Sequence, residues 1–130
     1  MVIKIYCKEC GSKLTDELTS IPESFLCWED GQAIMPKNNF SFFYNKMSGT
    51  DSIMVAIDQY HLKDHPDQSR FTGCCGSSGG KGLNKLCING HEVATEVSDC
   101  WISHYIDFDT NKVVVKEKID DYTYKIVFKK

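Results

Sequence analysis

Cysteine is the residue type whose spacing in this chain says most about chemistry. Seven cysteines occur in 130 residues, and four of them lie within residues 71–101 beside a glycine-rich run. An earlier pair forms the motif Cys7-Lys8-Glu9-Cys10-Gly11. Two thiolates at this spacing reach the same metal ion, and the glycine permits the backbone curl that points amides at the sulfurs. The early pair therefore predicts one half of a zinc site.

The second half of the site is expected in the cysteine-rich segment. Cys87 comes just before Asn89-Gly90, a strong signal for a tight turn of the kind that carries zinc ligands. Adjacent residues in extended backbone point to opposite sides, so one of Cys74 and Cys75 is expected to face the metal while the other packs. The predicted zinc ligands are Cys7, Cys10, Cys75 and Cys87, with Cys74 close behind and Cys100 in reserve. Four thiolates leave no coordination position for water, so this site is expected to stabilise the fold and not to catalyse.

The histidines are weaker ligand candidates, and the sequence leaves them open. His61 and His65 have the spacing of the second half of a zinc finger, but Pro66 forbids a continuing helix and the early cysteines are too far away. His91-Glu92 resembles the His-x-Glu motif of zinc deaminases only loosely, because the glutamate is adjacent and no Pro-Cys-x-x-Cys follows. Without further evidence, we interpret His61 and His65 as histidines of the surface or of loops.

Composition disfavours several other classes of function. The formal net charge is −3 and the pI about 5.8, and Arg70 is the one arginine among fifteen basic residues, so nucleic-acid binding is disfavoured. A phosphate-binding loop at residues 76–82 fails on spacing, since Gly82 stands where a Ser or Thr is needed. No stretch approaches the roughly 20 apolar residues that span a bilayer. We expect a cytoplasmic protein with no membrane partner, where cysteines more often bind metal than pair.

Strands are the elements that must position these cysteines. Alternating or continuous apolar residues bounded by turn signals predict strands at residues 2–6, 25–28, 40–44, 53–57, 113–115 and 122–128. The last strand alternates with period two, which would place Tyr122, Tyr124, Ile126 and Phe128 on the core face. We expect residues 1–130 to form a single small domain that is mainly β and mostly antiparallel, with a zinc-ribbon-like site. This β-rich domain is expected to have at most one or two short helices, and an α+β fold is the alternative.

Several motifs together resemble a family of small, uncharacterised, cysteine-rich bacterial proteins. They are CxxCG from Cys7, HPDQSR from His65, TGCCG from Thr72 and EVATEVSDC ending at Cys100. In that family the cysteine matching Cys87 is followed two residues later by another cysteine and a glycine, where this chain has Asn89-Gly90. The resemblance implies metal binding, with the site completed by Cys74 or Cys75. It supplies no activity.

The function expected from the sequence is that of a non-enzymatic zinc-binding protein that acts through protein–protein interaction. An immunity-like protein or an adaptor, whose acidic surface meets a basic partner, fits the small size, the mild negative charge and the lack of a catalytic constellation. The alternative is a cytoplasmic thiol redox protein or sensor. It would use Cys74-Cys75 or Cys7-Cys10, activated by a nearby histidine. The identity of the partner is left open.

Overall fold

A computed structural model describes residues 1–45, 50–74, 76–80 and 82–127. Within these residues, two short 3-10 helices, Glu23–Phe25 and Gln68–Phe71, accompany ten strands. No helix in the described ranges is long and apolar enough to cross a membrane. The strands are β1 (Val2–Cys7), β2 (Leu18–Ser20), β3 (Asn39–Asn45), β4 (Thr50–Val55), β5 (Lys63–Asp64), β6 (Lys85–Leu86), β7 (Glu92–Val97), β8 (Tyr105–Asp109), β9 (Val113–Lys118) and β10 (Tyr124–Val127).

All ten strands belong to one sheet, in the order β10-β9-β1-β2-β3-β4-β8-β7-β6-β5. Among the pairings of these strands, β2 with β3 is parallel and the others are antiparallel. The prediction of a mainly β, mostly antiparallel fold is therefore confirmed. The strands predicted at residues 2–6, 40–44 and 113–115 lie within β1, β3 and β9, and the strand predicted at residues 53–57 overlaps β4.

Both arms of the sheet pack on the same hydrophobic core. The inward residues of β1 alternate with outward ones, as period two requires, and they end with Cys7. The same core cluster contains Cys87 and Val93 from the opposite arm. Because β1 and β7 lie on opposite sides of β4 in the strand order, a shared core requires the sheet to curl over on itself. The curl brings the end of β1 to the connection between β6 and β7.

The prediction of a buried strand at residues 25–28 is wrong. Pro22 instead precedes the first 3-10 helix, in which the amide of Phe25 donates to the carbonyl of Pro22 at 2.9 Å. Proline favours such a start because its φ is already close to helical values. Leu26 is buried, but Phe25 is 71% exposed and Trp28 is 53% exposed. An apolar run that ends a short helical turn therefore presents its aromatic side chains to solvent.

The last strand is found, but the face assigned to it is reversed. Ile126 is 49% exposed and Tyr122 is 96% exposed, while Val127 packs against the core. The register explains this result, since Ile126 pairs with Lys116, and Lys116 pairs with Lys4 on β1. Cross-strand partners share a face, so Ile126 lies on the outward face with two lysines. Phe128, assigned to the same face, lies outside the described residues.

Candidate metal centre

Four side chains with metal-ligating atoms meet where the end of β1 faces the connection between β6 and β7. The ligand atoms of Cys7, Cys10, Cys87 and His91 all lie within 4.8 Å of one another. The Sγ atoms of Cys10 and Cys87 are 3.8 Å apart. The Nδ1 atom of His91 is 3.3 Å from Sγ of Cys87 and 3.8 Å from Sγ of Cys7. This arrangement, called the Cys7 site below, could hold a metal ion.

The first loop of the site is a tight turn at the end of β1. Pairing with β9 places Cys7 opposite Val113. The amide of Cys7 donates to the carbonyl of Ser12 at 2.9 Å, and the amide of Gly11 donates to the carbonyl of Cys7 at 2.8 Å. Gly11 has a φ of +74°, a conformation that glycine adopts at low cost. The backbone therefore curls at Gly11 as the motif predicts, and Cys10 returns beside Cys7.

The second loop is a matching turn between β6 and β7. The amide of Cys87 donates to the carbonyl of His91 at 2.9 Å, and the amide of Gly90 donates to the carbonyl of Cys87 at 3.0 Å. Gly90 has a φ of +90°, so the turn predicted at Asn89-Gly90 is present. The amide of His91 also lies 3.4 Å from Sγ of Cys87. The turn thus presents a thiol and an imidazole from one short segment.

The Cys7 site lies at the rim of the hydrophobic core. Cys7 and Cys87 are buried members of the core cluster. Cys10 is exposed and His91 is half-buried. One side of the site is therefore formed by packed apolar residues, while its other side faces solvent, from which an ion can enter.

Hydrogen bonds to the sulfur of Cys10 stabilise its thiolate. The hydroxyl of Ser12 lies 3.2 Å from this sulfur, and the side-chain amide of Asn89 donates to it at 3.2 Å. These two contacts, with the backbone amide of Ser12, lower the pKa of Cys10 to about 5. Asn89 belongs to the second loop, so the two loops are already linked at the sulfur. A metal ligand must be deprotonated, and this environment provides a deprotonated sulfur.

The pKa values of the two buried thiols are shifted in opposite directions. Burial raises the pKa of Cys7, against the effect of backbone hydrogen bonds from Cys10 and Glu9. Burial also tends to raise the pKa of Cys87. Backbone hydrogen bonds from His91 and Asn89 oppose this effect, and the pKa of Cys87 is lowered overall. Amides directed at sulfur recur in both loops. They stabilise negative charge on sulfur, which is the charge that a cation attracts.

The structure brings together three of the ligands predicted from the sequence, Cys7, Cys10 and Cys87, and adds His91 to them. Cys74 lies elsewhere, in a group with Asp99 and Cys100. Cys75 lies outside the described residues. The Cys7 site therefore draws its ligands from two short loops and does not use Cys74.

His91 is the ligand candidate that the sequence interpretation undervalued. The available signal was its spacing from Cys87 across the Asn89-Gly90 turn, since a tight turn returns the chain beside its starting residue. In the sequence, the neighbouring Glu92 instead gave His91 a loose similarity to the His-x-Glu motif of zinc deaminases. Glu92 in fact accepts a hydrogen bond from Nε2 of His65 at its Oε2, at 3.0 Å. His61 lies 3.5 Å from a carboxylate oxygen of Asp16.

No family model, curated protein or solved structure matches the chain. The chemistry of the ligand groups and the fold around them are therefore the observations from which a function is inferred.

Proposed function

We propose that this is a non-enzymatic zinc-binding protein, whose Cys7 site is structural and which acts through protein–protein interaction. The distances between ligand atoms carry the first part of the proposal. Zinc binds sulfur at about 2.3 Å and nitrogen at about 2.0–2.1 Å, so a tetrahedral site needs about 3.8 Å between sulfurs and about 3.6 Å between sulfur and nitrogen. The observed 3.8 Å between sulfurs, and 3.3 and 3.8 Å between sulfur and nitrogen, fit these requirements.

The ligand types favour zinc over the common alternatives. Thiolates are soft ligands that magnesium and calcium avoid, whereas three cysteines and one histidine form a standard structural zinc set. Each half of the site is a tight turn with amides directed at sulfur, which is the arrangement that we expected of a zinc-ribbon-like site. Four protein ligands close the tetrahedral shell, and no position is left for an activated water. The proposed role is therefore stabilisation.

Zinc at this site would act as a clamp between the two arms of the curled sheet. Cys10 and Cys87 are 77 residues apart in sequence, and they join the end of β1 to the connection between β6 and β7. An ion that binds the folded state and not the unfolded chain stabilises the fold by about 2.7 kcal/mol at a free concentration one hundred times its Kd. Metal binding and folding are coupled in such a site.

Metal analysis of tag-free protein tests the zinc proposal. The wild-type protein should retain zinc after gel filtration, and Cys10→Ser should lose one equivalent, because Cys10 is exposed and its replacement leaves the core intact. Cys27→Ser is the matched control, since Cys27 belongs to neither of the ligand groups in the described residues. Zinc content that is the same in wild type and Cys10→Ser, with melting unchanged by a chelator, contradicts the proposal.

Exposed aromatic side chains support the proposed interaction role. Phe25 and Trp101 are each 71% exposed, and Trp28 is 53% exposed. The segment with Phe25 and Trp28 runs beside the segment with Trp101, because the amide of Gly31 donates to the carbonyl of Ile102 at 3.0 Å. Large aromatic residues are enriched at protein interfaces, where they contribute much of the affinity. With a net charge of −3, the preferred partner is a basic protein.

A double variant tests this part of the proposal separately. Trp28→Ala with Trp101→Ala should lose a partner that the wild-type protein retains on an affinity support, while its zinc content stays unchanged. A partner that binds both proteins equally well places the interface elsewhere and contradicts the role of these aromatics.

A thiol redox function is the second candidate, and one observation favours it. Cys10 is exposed, and its sulfur is 3.8 Å from that of Cys87, close enough for a disulfide after a small movement. Thiol labelling separates the two functions. A closed zinc site protects Cys10 until a chelator is added, so rapid reaction of Cys10 with zinc still bound favours the redox function.

A further inference from the structure

We infer that the protein carries a second zinc site, formed by Cys74, Asp99 and Cys100 and separate from the Cys7 site. One thiol sulfur, one carboxylate oxygen and a second thiol sulfur lie within 4.8 Å of one another in this group. Cys74 and Cys100 are not joined by a disulfide. None of the three residues is a ligand candidate at the Cys7 site, so this inference goes beyond the proposed function.

The backbone around this group is held in place by close contact between two segments. The carbonyl of Ser77 accepts hydrogen bonds from the amides of Ser98 and Asp99, at 2.9 and 3.0 Å. The amide of Ser77 donates to the hydroxyl of Ser98 at 3.2 Å. A Cβ added to Gly76 would lie 2.5 Å from the carbonyl oxygen of Ser98, so only glycine permits this approach. The contact holds the segment of Cys74 against that of Cys100.

Asp99 lies at the centre of the group and is 6% exposed. Its Oδ2 accepts from the amide of Cys74 at 3.0 Å, and its Oδ1 accepts from the amide of Cys100 at 2.7 Å. Because each carboxylate oxygen has two lone pairs, an oxygen that accepts an amide hydrogen can also bind a cation. A divalent ion shared with the two thiols would add positive charge beside this buried carboxylate and so favour its ionised form.

The donor set selects the type of ion. Two sulfurs exclude magnesium and calcium, which bind oxygen ligands, and favour a thiophilic ion such as zinc. Binding displaces the proton of each thiol, so zinc uptake is accompanied by release of two protons from a fully protonated pair. Three protein ligands leave one position for water. Because this site has three protein ligands instead of four, its ion should be removed by a chelator more easily than the ion of the Cys7 site.

Zinc stoichiometry of the full-length, tag-free protein tests the inference. After equilibration with excess zinc and gel filtration, the wild-type protein should hold about two equivalents, one for each ligand group. Cys74→Ser and Asp99→Asn should each hold about one equivalent, and Cys74→Ser is the safer variant because it alters an exposed side chain. Cys27→Ser is again the control. Far-UV circular dichroism confirms that each variant is folded.

The zinc contents of these variants test the two sites independently of each other. A wild-type protein with a single equivalent that Cys74→Ser retains, while Cys10→Ser loses it, overturns the second site and leaves the proposed function standing. A single equivalent that Cys74→Ser loses and Cys10→Ser retains overturns the Cys7 site alone. A disulfide between Cys74 and Cys100 that forms equally fast with and without zinc, seen by mass spectrometry of unreduced protein, also overturns the second site.

Discussion

Replacement of His91 by alanine is the sharpest test of the clamp between the two arms of the sheet. His91 is half-buried, so its truncation leaves no large cavity, whereas truncation of Cys87, which is 0% exposed, would disturb the core as well. The variant keeps three thiols but opens the coordination shell. Its expected defect is therefore confined to the zinc-bound state.

The size of the expected change in stability follows from the linkage between zinc binding and folding. Zinc at one hundred times its Kd adds about 2.7 kcal/mol to the free energy of unfolding. Unfolding entropy near the melting temperature is about 2.1 cal/mol/K per residue, so a chain of this length gains about 10 °C in Tm from that energy. If His91→Ala weakens zinc binding one hundredfold, about 2.3 kcal/mol and about 8 °C of this gain are lost.

Thermal denaturation with and without a chelator measures this effect. Without zinc, wild type and His91→Ala should melt within a few degrees of each other. With zinc, only the wild type should show the full increase in Tm. Ile88→Ala is the matched control, because Ile88 is 57% exposed on the same turn and is not a ligand candidate. An equal zinc-dependent increase in wild type and His91→Ala would refute the assignment of His91 to the site.

Three further predictions concern the backbone of the two sites and a partly buried carboxylate, that of Asp107. Gly11→Ala should lower the free energy of unfolding, measured by urea denaturation, by about 1 kcal/mol because Gly11 has a positive φ. A Cβ at this position would contact nothing within 4 Å. A loss above about 3 kcal/mol would therefore contradict a purely conformational cost. Gly76→Ala should cost about 1–3 kcal/mol through its clash with Ser98 and should lower zinc retention at the second site, whereas unchanged stability would show that the two segments are not in close contact. Burial raises the pKa of Asp107 to about 6, against the hydrogen bond from Ser52 at 3.2 Å. The folded state thus binds this proton more tightly than the unfolded chain does, so stability should fall as the pH rises from about 4 to about 6. Asp107→Asn should remove this pH dependence and gain about 1–2 kcal/mol at pH 7, and an unchanged profile would place the titration on another group.

Local chemistry made part of the Cys7 site predictable. Positive φ at Gly11 and Gly90 follows from residue type, so the sequence could place Cys10 beside Cys7 and a turn after Cys87. The meeting of these two loops depends on the curl of the whole sheet, which no local pattern contains. The same limit applies to β10, where alternation identified a strand but only pairing with Lys116 decided that Ile126 faces outward.

The position of β7 explains why Cys74 could not complete the Cys7 site. His91 immediately precedes this strand, while Ser98 and Asp99 immediately follow it. A strand of this length spans about 20 Å, so its two ends cannot contribute ligands to one ion. The close contact between Ser77 and Ser98 holds the Cys74 segment at the far end. The seven cysteines therefore include candidates for two separate sites, one before and one after β7, and ligand substitutions at one end should leave the zinc affinity of the other end unchanged.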